Sequence, residues 1–273
     1  MATVHLALAL HCCGMRYHEV PAPAPIARWV RCIWFLSADG GGPQPVVPDG
    51  RLEIVLHRAE PFAEVLADGT FRAQAPVVVS GQLTRPLLLS PRGRADVVGI
   101  RFRTAGARDL LGLPLDMLTN LVVPLLDVDA QLARRLERAA RDVNPVAALS
   151  ETLLGHAKAR RHHTSAEAVA RLARGDAIRQ VARAMRTSVR SVERHVRDDT
   201  GLSPRTLQQV MRIRQLYALL QSSTVSGADA AIAAGYYDQS HAGRAFRMFA
   251  GASPQAHFAA QPTLAQALLS HSS

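Results

Sequence analysis

Lysine is nearly absent from this chain of 273 residues: of its 32 basic side chains only Lys158 is lysine, and the rest are arginine. Arginine's planar fork suits phosphate and guanine, but a bias this uniform reflects genome composition more than a selected interface. The charge total is therefore informative and the choice of arginine is not. Cysteine is scarce too, at Cys12, Cys13 and Cys32. The adjacent pair cannot supply Cys-x-x-Cys geometry, which argues against a cysteine metal centre, and reduced thiols in the cytoplasm are the expectation. No apolar run approaches the ~20 residues needed to span a bilayer. The early stretch VHLALALHCC has a short apolar core without a basic start or a convincing cleavage site, so secretion is not expected. Also missing is any pairing of base and nucleophile, and between Asp49 and Phe102 the only histidine is His57. No enzyme, metal or cofactor is expected. His57 reads as a solvated or hydrogen-bonded histidine, and Asp49, Arg51 and Glu53 as a turn and a half-exposed strand.

Hydrophobic content of 48% argues for a folded protein, and this length suits two domains of roughly 100 to 150 residues. The net charge of +10 is unevenly spread: residues 1–150 carry 16 basic and 14 acidic side chains, residues 151–273 carry 16 and 8. Positive charge concentrates in the second half, which suits a phosphate backbone as partner.

The PAPAP run at 21–25 reads as an extended lead-in. Strands are expected at 29–36, 51–57, 61–66, 75–81, 85–90 and 95–102, separated by turns such as Asp-Gly, Pro-Asp-Gly and Pro-Arg-Gly. Their short spacing without intervening helices favours an antiparallel sheet or small barrel. Helices are expected at 104–111, 129–141 and 146–157, and HAKARRHHTS (156–165) reads as an exposed basic hinge.

Beyond it the pattern is short helices. One covers 165–174 and ends at Gly175. Asp176 is placed to cap the next, DAIRQVARAM, with Ile178, Val181, Ala182 and Met185 inward. After the turn RTS comes SVRSVERHVRDD, with Val189, Val192 and Val196 on one face and Arg190, Glu193, Arg194 and Arg197 on the other. Two short helices sharing an apolar wedge, the second with a polar front, form a helix-turn-helix. A long helix, 206–221, follows the Ser203-Pro204 cap. The logic then repeats: GADAAIAAG with Ile232 inward, the turn at Gly235, an Asp238 cap, and a helix with Ala242, Ala245, Phe246 and Phe249 packed behind Gln239, Arg244 and Arg247. The punctuation Gly201-Leu202-Ser203-Pro204 returns as Gly251-Ala252-Ser253-Pro254, 50 residues on.

The residues Gly235-Tyr236, Asp238, Ser240-His241, Arg244, Phe246-Arg247, Gly251, Ser253-Pro254 and Phe258 resemble the closing signature of the arabinose-operon regulator (AraC/XylS) family of bacterial transcription factors. The likeness covers about 165–260. Ala242 departs from the large apolar residue usual there, which should loosen this lobe or shift its helix inward, and Ala259 replaces an arginine. Residues 15–155 resemble the N-terminal domain of uncharacterised family members, through MRYHEVPAP…WVRCIWF, PDGRLEIVL and VVGIRFRTAGARDLLG. The resemblance implies an α+β chain: an N-terminal antiparallel β-barrel, cupin-like, with helices, then an all-α domain with two helix-turn-helix motifs. The divisions expected are a segment at 1–14, either a floppy tail or an extension upstream of a start at Met15, then a sensing or dimerisation domain at 15–157 and a linker at 158–164. The DNA-binding domain covers 165–260 and a tail 261–273.

The resemblance also implies a sequence-specific transcription factor, placed on the nucleoid in the cytoplasm, whose reading helices enter successive major grooves of promoter DNA. Base contacts fall to Arg190, Glu193, Arg194, Gln239, Ser240 and Arg244, and phosphate contacts to Thr187, Ser188, Arg197 and Arg247. RNA polymerase, a small-molecule effector and a second copy of the chain are the further partners implied. The competing readings are an architectural or non-specific DNA binder, which leaves Glu193 and Gln239 without a purpose, and a cupin-type enzyme fused to a DNA-binding domain.

Overall fold

The computed structural model describes residues 10–12, 15–157, 165–222 and 225–259. The linker at 158–164, His162 and His163 in it, and the tail at 261–273 lie outside the described residues, as does most of the tail at 1–14. The strands are β1 (Leu10–Cys12), β2 (Met15–Pro21), β3 (Val30–Asp39), β4 (Gln44–Val46), β5 (Glu53–His57), β6 (Ala63–Val65), β7 (Phe71–Ala73), β8 (Val77–Ser80), β9 (Leu87–Ser90), β10 (Arg94–Phe102) and β11 (Val122–Pro124). The helices of the first half are α1 (Ala107–Leu111), α2 (Leu125–Val128), α3 (Ala130–Ala139) and α4 (Pro145–Ala157), with a 3-10 turn at Leu115–Leu118.

All pairings are antiparallel, and they form a seven-stranded sheet in the order β1-β2-β3-β10-β5-β8-β11 and a four-stranded sheet in the order β4-β9-β6-β7. The expected barrel is thus two facing sheets. Period-two alternation divides the large sheet. Ile33, Ile54, Leu56, Val98, Ile100 and Phe102 face the helices and form the main core with Leu110, Leu132, Leu136, Leu149 and Leu153. Tyr17, Cys32, Trp34, Leu36 and Val97 face the small sheet, where Phe62 and Leu89 meet them. Gly99 lets Trp34 lie flat on the strand, since a Cβ at Gly99 would collide with the indole. Asp129 caps α3 by accepting from the Leu132 N–H at 2.9 Å.

Three expectations change. The PAPAP run is not extended throughout: Pro23 and Ile26 accept backbone bonds from Ile26 and Trp29 at 3.0 Å, closing tight turns. The strands β4 and β7 replace stretches read as turns, and β11 forms in a stretch given no element. Asp49, Arg51 and Glu53 are not half-exposed surface but belong to a buried charge cluster around Arg101, which is fully enclosed. Arg101 donates to Glu53 Oε1 and Glu19 Oε1, each at 2.6 Å, and Tyr17 donates to the same Glu19 oxygen at 2.6 Å. Burial alone would lower the Arg101 pKa, yet Glu53 and Asp49 hold it well above its ordinary value, so the guanidinium stays charged. His57 is buried, 3.2 Å from Gln74 Oε1 and edge-on to Phe62, and burial lowers its pKa to about 4. Burial likewise pushes the free thiol of Cys32 up to about 12.

The second half comprises α5 (Ala166–Ala173), α6 (Ile178–Ala184), α7 (Val189–Thr200), α8 (Pro204–Gln221), α9 (Gly227–Ala233), α10 (Gln239–Ala250) and α11 (Pro254–Ala259). It has two cores sharing α8. Ala168, Val169, Leu172, Val181, Val192, Val196 and Leu202 pack on Leu207 and Val210. Ala230, Ala231, Tyr236, Ala242, Phe246 and Phe249 pack on Ile213, Leu216 and Tyr217. No helix among the described residues is long and apolar enough to cross a membrane.

Candidate nucleic-acid interface

The two lobes are built alike. In the first, α6 runs into a tight turn in which Arg186 takes φ 52, and Ser188 starts α7 by accepting from the Ser191 N–H at 3.1 Å. Val192 and Val196 point into the lobe, while Arg190, Glu193, Arg194 and Arg197 are exposed. In the second, Gly235 at φ 78 turns the chain after α9, and Asp238 caps α10 by accepting from the His241 N–H at 2.6 Å. Ala242, Phe246 and Phe249 are buried, and Gln239, Ser240, Arg244 and Arg247 are exposed. Each second helix therefore has a packed back and a solvent-facing polar front, the shape that enters a major groove. Capping matters here because it leaves the remaining free N–H groups of the first turn to face an approaching phosphate.

The expected contact residues fall on two separate surfaces, one per lobe. Thr187 and Ser188 are exposed in the first turn. The Ser188 oxygen is committed to the cap, which leaves its O–H hydrogen for an outside acceptor. At Gly243 an added Cβ would meet nothing within 4 Å, so bare backbone is presented between Gln239 and Arg247.

Several packing expectations are corrected. Ile232 is 61% exposed, because Ala230, Ala231 and Ala234 take the inward side of α9. Asp176 does not cap α6: Ala177 holds that position, its N–H donating to Gln180 Oε1 at 3.2 Å, while Asp176 lies 3.5 Å from Arg171. Around Ala242 the lobe is filled by aromatic stacking. Tyr217 lies 5.9 Å from Phe246 and nearly parallel to it, and donates or accepts at His257 Nε2 at 3.0 Å. Burial lowers the His257 pKa, which keeps that imidazole neutral toward Tyr217. His257 was invisible to pattern reading, since a lone histidine in a short terminal helix has no periodic partner.

Geometry and repetition together define two helix-turn-helix lobes, each presenting the exposed polar face of its second helix. A helix-turn-helix domain model matches residues 181–260, and a model described as a domain of unknown function (DUF6597) matches residues 18–124. The chain thus carries a DUF6597 domain followed by a helix-turn-helix domain of the AraC type. No curated protein matches it. Among solved structures it is similar to fatty-acid-bound ToxT from Vibrio cholerae, at 14% identity over 82% of this chain and 92% of that one, TM-score 0.45. Another structure of ToxT from Vibrio cholerae is similar at 11% identity over 83% and 97%, TM-score 0.45.

Proposed function

We propose that the protein regulates promoters by reading one composite site with α7 and α10. Arg190, Glu193 and Arg194 read base edges in one major groove, and Gln239, Ser240 and Arg244 read them in the next. Thr187, Ser188, Arg197 and Arg247 hold phosphates. The observation that carries this reading is the exposed polar front on both helices, each behind a complete apolar back. Arginine pairs bidentately with guanine and glutamine with adenine, while glutamate accepts from the cytosine amino group. Glu193 favours this reading over a non-specific binder, because a carboxylate facing DNA weakens phosphate affinity unless it selects a base. The N-terminal module is proposed as the sensing or dimerisation unit, with RNA polymerase as the downstream partner. Selection of duplexes from a random library by the full-length protein tests the function. Enrichment of two conserved half-sites about one helical turn apart is expected, and recovery of unrelated sequences would overturn it.

A further inference from the structure

The two lobes keep separate cores and share only α8, so a second support is needed if their angle is to be fixed. The N-terminal module supplies contacts to both. Ala105 joins the core of the first lobe, and Val47 that of the second. Between them, Gly50 at φ 77 lies so close against Met211 and Val210 of α8 that a Cβ there would collide with Met211. The strongest grip is on the C-terminal end of α7. Arg108 of α1 donates to Asp199 and lies 3.5 Å from Asp198 Oδ2. Asp199 is 1% exposed, so this pair is shielded from water and is not an ordinary surface ion pair. One residue beyond the end of α7, Thr119 Oγ1 donates to the Gly201 carbonyl at 2.7 Å. These contacts sit at the far end of α7 from Arg190 and leave its reading face open.

We propose that the N-terminal module is a splint that fixes the distance and angle between α7 and α10, and so determines which half-site spacing the protein accepts. The inference rests on the two-helix reading above. Each base pair added between half-sites moves them apart by about 3.4 Å and rotates them by about 35°. A splinted pair of helices cannot follow both changes, whereas lobes joined by α8 alone can swivel. Arg108 and Thr119 are positioning residues in this scheme, since neither touches DNA.

The test uses the full-length protein and a duplex it has selected, with one base pair inserted or removed between the half-sites, and reads affinity by fluorescence anisotropy. Wild type is expected to lose about tenfold for either change, and Arg108→Ala about threefold or less. Arg58→Ala removes an ion pair internal to the N-terminal module, with Asp96 at 2.5 Å, and is expected to keep the wild-type penalty. Circular dichroism checks folding. If Arg108→Ala fails to fold, Thr119→Val, nearly isosteric and lacking only the bond to Gly201, gives the reading and is expected to reduce the penalty. A folded Arg108→Ala that retains the full penalty would overturn the splint, as would a folded Thr119→Val that does so in its place. A wild type indifferent to spacing would also overturn it. Wild type that binds no duplex in preference to another would instead defeat the underlying function.

Discussion

Gly201 and Gly251 end the second helices of the two lobes, and the N-terminal module presses more closely on Gly201 than on Gly251. Their φ values, 76 and 77, are both left-handed. A Cβ at Gly201 would stand 2.8 Å from the Leu115 carbonyl oxygen and 2.8 Å from Thr119 Oγ1, whereas at Gly251 the nearest atom is Pro86 Cγ at 3.6 Å. Alanine at either position takes on the left-handed penalty of about 1 kcal/mol. At Gly201 it must also displace backbone of the N-terminal module, so a total of about 2–3 kcal/mol is expected. Urea denaturation of the two alanine variants checks this, and equal losses would mean that the module does not bear on α7.

His57 makes stability depend on pH. Its pKa is lowered from 6.5 to about 4 by burial, so the unfolded chain takes up the proton before the folded one does. The folded pKa is the depressed one. His57's contribution is therefore complete above pH ~6.5 and lost as pH falls toward ~4, by at most about 3 kcal/mol. His57→Gln cannot titrate, so the wild type's stability relative to this variant should fall between pH 7.5 and pH 5. The histidines common to both proteins cancel in that difference. Urea midpoints and m-values across the range provide the measurement, and a constant difference would show that His57 is not held neutral.

Long periodic elements and their caps were readable because each signal is local. The strand at 95–102 and the helix behind Asp238 follow from alternation and from one side chain meeting one N–H. Arg101 escaped because VVGIRF reads equally well with its arginine at a solvated end, and only Glu19 and Glu53, distant in sequence, reveal the enclosed charge. Ile232 misled because four of the seven residues of α9 are alanine, so small side chains do the packing and the one large apolar residue seems the natural anchor. The candidate reading faces were legible as the polar side of two apolar stripes. The grip on α7 was not, since Gly50, Arg108 and Thr119 look individually like a turn glycine and two surface residues.

Arg194 and Arg197 lie three residues apart on the exposed side of α7, and their proposed roles differ. Arg194→Ala should weaken the selected site and relax preference at one base position, by about 1–3 kcal/mol. Arg197→Ala should weaken binding to all duplexes alike and reduce the salt slope by about one unit. Titrations against selected and shuffled duplexes at several salt concentrations separate the two, and identical behaviour of the variants would defeat the assignment.

Gly243 offers a change whose effects on folding and on binding should have opposite signs. It sits inside α10 without a left-handed φ, and an added methyl would meet nothing in the protein. Alanine there removes the backbone freedom of glycine in a helix, so Gly243→Ala should stabilise the fold by about 0.5–1 kcal/mol. The same position faces outward between Gln239 and Arg247, where a reading helix lies closest to base edges. A methyl group in that gap holds the helix away from the groove and lengthens the contacts of Gln239 and Arg244, so affinity for the selected duplex should fall by about tenfold, or ~1.4 kcal/mol. Thermal denaturation and anisotropy titration on one preparation give both signs. A variant that is more stable and binds DNA as tightly as wild type would show that α10 does not approach the groove through Gly243.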